Sequence, residues 1–360
     1  MSIEPTTASA GTRHRPAATW MRRGAVTAAI VLFTVELVLG WPSLSAALSQ
    51  LRAPHPGWLA GAVAAALVSM AMYARMQRRL LLSAGLHVPL YRNVALAYAA
   101  HSLNETLPGG PAFSTQFNYQ QLRLFGATPA IATWCIALSG ILSTTALALI
   151  TAASALISGG TPRWYSLAAL IAVTAAVVPG VLHITRRPTT MEALARAVLT
   201  PINRLRRHPD ESGLDRFRGF ISQLGSARLT AGHGAAAAAY AVLNWALDAV
   251  CLWVCFRAVS DNPIHPAPLL LAFCAGMAAG TITVIPGGLG VIDNALIFGL
   301  LAAGIDTATA IAAVVLYRII SFGLIIGAGW ITWLFMRRRT SALSHHSAIH
   351  QVRELTNRFQ

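Results

Sequence analysis

Charged side chains set into apolar stretches are the residues of this sequence that invite chemistry. Glu36, Glu105, Asp248 and Asp293 lie in or beside apolar runs, Arg318 sits well inside another, and Arg123 closes a further one. Insertion scales charge about 2.5–3.5 kcal/mol for such a residue at mid-membrane, so each needs an ionic partner or a wet cavity. Arg318 offers a planar five-donor fork that suits a phosphate head group or a carboxylate. Two roles stand side by side for it. It either pairs with Asp293 or Asp248 to lock a helix bundle, or it meets a substrate. His101 and Glu105 share a helical face at i,i+4, as do Asn244 and Asp248. Glu36, near the outer end of its run, reads as a side chain that reaches the interface.

The elements that position these groups are interrupted helices. Pro286-Gly287-Gly288-Leu289-Gly290 and Pro108-Gly109-Gly110-Pro111 both fall inside hydrophobic sequence, where a helix breaker opens the backbone. In lipid an unpaired backbone group costs several kcal/mol, so opened backbone survives only inside protein or beside water. Glu105 stands three residues before the first break and Asp293 seven after Pro286. The copies also agree downstream: Pro108 precedes Gly126 by 18 residues, and Pro286 precedes Gly304 by 18. Two residues after each glycine comes a good N-cap, Thr128 or Asp306, and then a long apolar helix. Helix starts after Gly110 and Gly290 would offer free N–H groups, a ready anion site. The helix after the first break is polar for its depth, with Ser114, Thr115, Gln116, Asn118, Gln120, Gln121 and Arg123. It suits either a hydrated groove or an interfacial helix half in water.

Several chemistries are excluded. All 27 basic side chains are Arg; the absence of Lys rules out a Schiff-base lysine and a P-loop. Cys135, Cys251, Cys255 and Cys274 all fall in apolar segments without metal-ligand spacing and read as small core residues. No Ser-His-Asp arrangement, metal motif or aspartate-rich motif is present, so no catalysis, metal or cofactor is expected.

Apolar residues make up 55% of the 360 and charged residues 11%, with mean hydropathy +0.58, the composition of an integral membrane protein rather than a soluble domain. The net charge of +15 reflects arginines in loops that rest on anionic lipid, not a nucleic-acid surface. The Arg and Ala bias points to a GC-rich bacterial genome. Full spans are expected at about 24–41, 57–74, 128–158, 165–184, 231–257 and 308–336, with broken regions at 93–125 and 267–303. Arginine-rich segments at the N-terminus, 75–92, 185–229 and 337–339 belong in the cytoplasm. Six full crossings satisfy this if each broken region is a re-entrant hairpin, the first from the cytoplasm and the second from outside. The expected fold is therefore all-α, with an inverted repeat and eight or more helices counted separately. Residues 1–20 read as a disordered cytoplasmic tail, 21–336 as the membrane domain, and 337–360 as a second cytoplasmic tail. Within 185–229, nine Arg face four acids, and residues 214–228 suit an amphipathic helix on the membrane surface.

Asn104-Glu105-Thr106-Leu107-Pro108-Gly109-Gly110, Pro286-Gly287-Gly288-Leu289-Gly290-Val291-Ile292-Asp293 and Tyr317-Arg318 together resemble the lysylphosphatidylglycerol synthase transmembrane-region family, also called flippase-like domains, the membrane half of the multiple peptide resistance factor. The likeness covers roughly residues 20–336. The family usually has Glu where this chain has Asp293, which keeps the charge and shortens its reach by one methylene. The resemblance implies movement of a lipid or lipid-linked head group between leaflets. Bifunctional members carry a soluble aminoacyl-transferase domain after the membrane region. This chain ends 24 residues after Met336, so it is expected not to make lysylphosphatidylglycerol itself.

The expectation is a multi-pass inner-membrane protein, both termini cytoplasmic, that binds and moves an anionic phospholipid or polyprenyl-linked lipid. Its path would be lined by Glu105, Pro108, Gly109, Gly110, Arg123, Asp248, Pro286, Gly287, Gly288, Gly290, Asp293 and Arg318. The alternative is an accessory or catalytic membrane subunit in lipid-linked glycosyl or aminoacyl transfer. Assembly into a homo-oligomer stays open, and no nucleic acid is expected as partner.

Overall fold

A computed structural model describes residues 54–157, 229–261, 265–280 and 286–337. The expected spans 24–41 and 165–184, Glu36, the tails and the basic stretch 185–228 lie outside them. Eight helices cover the described residues, which contain no strand: α1 Pro56–Ser83, α2 Leu90–Thr106, α3 Gly110–Leu124, α4 Pro129–Ile157, α5 Ala231–Val259, α6 Pro266–Gly280, α7 Val291–Ala302 and α8 Thr307–Arg337. Four of them, α1, α4, α5 and α8, are long and apolar enough to cross a bilayer. The other four, 12 to 17 residues each, extend only about 18–26 Å at 1.5 Å per residue and cannot cross alone.

One span differs from expectation. α1 runs to Ser83, past Arg75, Arg78 and Arg79, at which it was expected to end. Arginine is a good helix former, its stem covers apolar surface, and Arg78 Nε donates to the Val88 carbonyl at 3.1 Å.

The chain direction follows from contacts at the helix ends. His55 N–H donates to the Ala258 carbonyl at 3.2 Å, and Thr230 N–H donates to Ser83 Oγ at 3.1 Å. α1 and α5 are therefore antiparallel along their full length. α2 starts beside the end of α1, and a methyl group on Gly126, just past α3, would lie 3.7 Å from Leu86. The α2–α3 pair thus enters and leaves at the α1 C-terminal end. α6 and α7 pack antiparallel: side-chain atoms added at Gly276, Gly280 and Gly299 would run into Leu296, Ile292 and Ala272. That pair opens beside the C-terminus of α5, the opposite end of the bundle. Two hairpins thus dip in from opposite ends, the inverted arrangement that the loop charges imply.

The matched punctuation is visible in the backbone. Gly126 and Gly304 take φ of 95° and 86°, ending α3 and α7. Thr128 Oγ1 accepts from the Ile131 N–H at 3.3 Å and Asp306 Oδ1 from the Thr309 N–H at 3.0 Å, starting α4 and α8. All four cysteines are free and buried.

The hairpin tips meet inside the bundle. Gly287, in the single 3-10 turn Pro286–Gly288, has φ 66°, and a methyl group there would stand 3.2 Å from the Glu105 carbonyl oxygen and against the Phe322 ring. Only glycine combines that backbone conformation with that closeness. Helix α8 also carries a feature unannounced by spacing: Ile319–Leu324 is wound as a π-helix, directly after Arg318. π segments inside α-helices are frequent at functional sites.

Candidate functional site

A cavity of about 470 Å³ lies where the two hairpins meet. α1, α2, α3, α4, α5 and α8 all line it, and Met277 of α6 and Ile292 of α7 reach its wall. Its charged residues are Glu105 from the first hairpin, Asp248 from α5 and Arg318 from α8. His101 and Asn244, the i,i+4 partners of the two acids, line it as well.

Polar contacts between spans fix which face of α5 looks inward. Asn244 Nδ2 donates to Ser69 Oγ at 2.7 Å and to the Ser69 carbonyl at 3.1 Å, while Ser69 Oγ donates to the Asn244 carbonyl at 2.9 Å. Trp245 Nε1 donates to the Ser143 carbonyl at 2.9 Å. Such bonds act as glue where lipid supplies no hydrophobic drive between helices. With α1 and α4 holding Asn244 and Trp245, Asp248 one turn further on faces the cavity. Tyr317 Oη donates to Asp248 Oδ1 at 3.2 Å, joining α8 to α5.

Arg318 pairs with Asp293, not with Asp248. Its Nε donates to Asp293 Oδ1, and its Nη1 points at the Gly287 carbonyl at 3.4 Å. Asp293 Oδ2 accepts from the Gly290 N–H at 2.8 Å, which closes the first turn of α7. The two side chains are 16% and 24% exposed. Arg318 Nη2 is buried and has no hydrogen-bond partner among the described residues. Asn118 of α3, 6% exposed and on the cavity wall, has its Oδ1 in the same condition. Both atoms are enclosed by protein rather than open to the cavity, as are Gln77 Oε1 and Asn93 Oδ1 away from it.

The other expected path residues fall around this centre. Gly287 and Gly288 are buried behind Arg318, and Gly110 is buried against the Asn104 carbonyl, where a side chain would clash. Pro108 and Gly109 are exposed at the tip of the first turn, and Pro111 is the residue of that break on the cavity wall. Pro286 opens the second turn. Arg123 stands away from the cavity: its Nη1 donates to the Ala127 carbonyl at 2.6 Å, at the end of α3 where carbonyls lack helical partners. Of the polar residues of α3, Ser114, Thr115 and Asn118 line the cavity, Gln121 is buried, and Gln116 and Gln120 are exposed.

Neither interrupted helix start is an empty anion seat. At α3 the Gly110 N–H donates to the Leu107 carbonyl at 2.8 Å, Pro111 has no N–H, and the Ala112 N–H bonds back to Gly109 at 2.9 Å. At α7 the seat holds an anion of the chain itself, the Asp293 carboxylate. Among the described residues no three His, Cys, Asp or Glu side chains gather in a way that could hold a metal ion.

Comparison with known proteins agrees with this architecture. The family model for the lysylphosphatidylglycerol synthase TM region matches residues 21–329. A UPF0104 membrane protein of Methanothermobacter thermautotrophicus is 38% identical over 79 residues, 22% of this chain and 22% of that protein. The matched stretch thus spans about a fifth of that relative's length.

Proposed function

Since the chain belongs to the lysylphosphatidylglycerol synthase transmembrane-region family, we propose that it is a lipid carrier: it binds an anionic phospholipid or polyprenyl-linked lipid in the central cavity and moves it between leaflets. The observation that carries this reading is the gathering of Glu105, Asp248 and Arg318 from separate helices into one cavity where the two hairpin tips meet. Paired interrupted segments in opposed halves of a membrane protein are where transporters bind their cargo. A lipid phosphate would be drawn to the Arg318 guanidinium, and head-group hydroxyls or amines to the polar wall of Ser114, Thr115 and Asn118. Small rearrangements of two hairpin tips that touch each other would expose the cavity alternately to the two ends of the bundle. On that gathering of charge at the hairpin tips we assign transport rather than catalysis. The proposed setting is a bacterial inner membrane, with both termini in the cytoplasm.

The test is leaflet exchange of a fluorescent anionic phospholipid in vesicles that hold the purified protein, with chemical bleaching of the outer leaflet as readout. Exchange faster than in vesicles holding an unrelated membrane protein is expected. Equal rates would remove the carrier reading. Native mass spectrometry of the gently extracted protein would identify the lipid class that stays bound.

A further inference from the structure

Charge inside the cavity does not balance. The Arg318 guanidinium is matched by Asp293, whose two oxygens are both engaged, one by Arg318 and one by the Gly290 N–H. Glu105 and Asp248 remain as surplus carboxylates on the same wall-bound volume. Glu105 has the Asn104 amide at 2.8 Å and His101 on its own helix four residues before it. Asp248 lies in the middle of a 29-residue span, 11 residues from its nearer end, with the Tyr317 hydroxyl as its hydrogen-bond donor. The titratable and charged groups around it are Tyr317 and Arg318 of α8, Glu105 and His101 of α2, Tyr73 of α1 and Cys251 on α5 itself. Asp293 of α7 reaches this set only through Arg318, and α4 and α6 bring the neutral Ser143 and Met277.

We propose that Asp248 is a proton-loading group: when an anionic lipid phosphate seats against Arg318, Asp248 takes up one proton, and it returns that proton to water when the lipid leaves. The inference rests on the lipid-carrier reading above. In the step an O–H bond of a hydronium ion from the bathing solution breaks, leaving water, as an O–H bond forms on the Asp248 carboxylate; release reverses both, and nothing is oxidised or reduced. The driving force is electrostatic. A phosphate brought beside two carboxylates in a site of low dielectric disfavours the charged form of its neighbours, and protonation removes the repulsion. Movement of the lipid is then coupled to the proton gradient, because loading on the acidic side and release on the other bias the cycle in one direction.

The sign of the linkage is fixed. The occupied state holds one more proton than the empty state, so affinity for the anion rises as pH falls, at most about tenfold per pH unit. The experiment measures binding of dioctanoyl phosphatidylglycerol, whose phosphodiester stays charged across the range, to the full-length protein in detergent at pH 5.5 and 7.5. Dioctanoylglycerol, which has the same chains and no phosphate, is the neutral control. Binding of the anionic lipid is expected to be at least tenfold tighter at pH 5.5. A pH-sensitive dye in weak buffer should record uptake of about one proton per lipid bound. Asp248→Asn should reduce the pH dependence to less than twofold and abolish the uptake. Tyr317→Phe, which removes the hydrogen-bond donor to Asp248, should alter the pH dependence of binding without abolishing proton uptake. Binding of phosphatidylglycerol that is independent of pH, with no proton uptake by the unaltered protein, overturns the coupling and leaves the carrier reading standing. A pH dependence that survives Asp248→Asn overturns the assignment to Asp248. Failure to bind phosphatidylglycerol at any pH overturns this inference and the phospholipid form of the carrier reading together.

Discussion

Asp293 and Arg318 are joined through one carboxylate oxygen, while the other oxygen of the same group closes the first turn of α7. The pair thus does two structural jobs, and its Arg318 member lines the cavity. Removing either partner alone strands a charge and should cost about 3 kcal/mol, the low end for a broken buried pair. Replacing both by Leu should recover all but about 1 kcal/mol, the share of the lost cap on α7. Thermal unfolding of the two single variants and the double measures this. The double variant should also fail to exchange lipid between leaflets; a stable double variant with unimpaired exchange would take the pair out of the mechanism.

Gly287 is the tightest point between the hairpin tips. Gly287→Ala combines a left-handed backbone with contact against Phe322 and the Glu105 carbonyl, and should cost about 2 kcal/mol. Gly327, helical and with open space around it, is the control: Gly327→Ala should be neutral or stabilise by up to about 1 kcal/mol. Comparable losses at both positions would mean that the tips do not pack as described.

At the start of α8, the Thr309 N–H donates to the exposed Asp306 carboxylate and holds it below the usual carboxylate range. A carboxylate depressed in the folded state stabilises above its unfolded value of about 3.9 and loses that contribution as pH falls through the folded value. Asp306→Ala should therefore lower the melting temperature at pH 7 by the equivalent of about 1 kcal/mol. The gap from the unaltered protein should narrow below about pH 4. A gap that stays constant into acid would assign the loss to packing instead.

His55 and Asp261 lie 3.8 Å apart at the end of the bundle where α1 begins and α5 ends. Trp58, Trp253 and Arg257 stack at that same end, and Trp330, Trp333 and Arg337 stack near the end of α8. Aromatic and arginine clusters of this kind sit at membrane interfaces. In a cysteine-free background, single cysteines at 55 and 261 should label from outside intact cells, whereas those at 87, 205 and 350 should not. Opposite behaviour of 55 and 261 would contradict the fold, and labelling at 205 or 350 would contradict the orientation.

Much of this arrangement is legible in the sequence because backbone punctuation is local. Gly126 and Gly304 end their helices, Thr128 and Asp306 start the next, and Pro-Gly-Gly breaks both hairpins, each for reasons contained within a few residues. What spacing leaves undecided is long-range. The choice of Asp293 over Asp248 as partner of Arg318 depends on how α7 meets α8, and the Tyr317–Asp248 bond spans 69 residues. Arg123 lies at the end of α3, away from the cavity, and spends its donor on Ala127, a local competition that a list of charges does not reveal. The π turn at Ile319–Leu324 has no periodic signature either, since one surplus residue in an apolar run leaves the pattern intact. The absence of an anion seat at α3 could have been read from Pro111, which removes one of the donors that such a seat needs.

The contact between Gly287 and Glu105 also orders events while the chain is being made. These residues are 182 positions apart. At about 5–20 residues per second, the ribosome takes roughly 9–36 s to deliver the second after the first. Throughout that interval the first hairpin tip lacks the surface against which it packs, and opened backbone is not tolerated against lipid. The contact that brings the two tips together can therefore form only once the second hairpin has been made, late in the life of the growing chain.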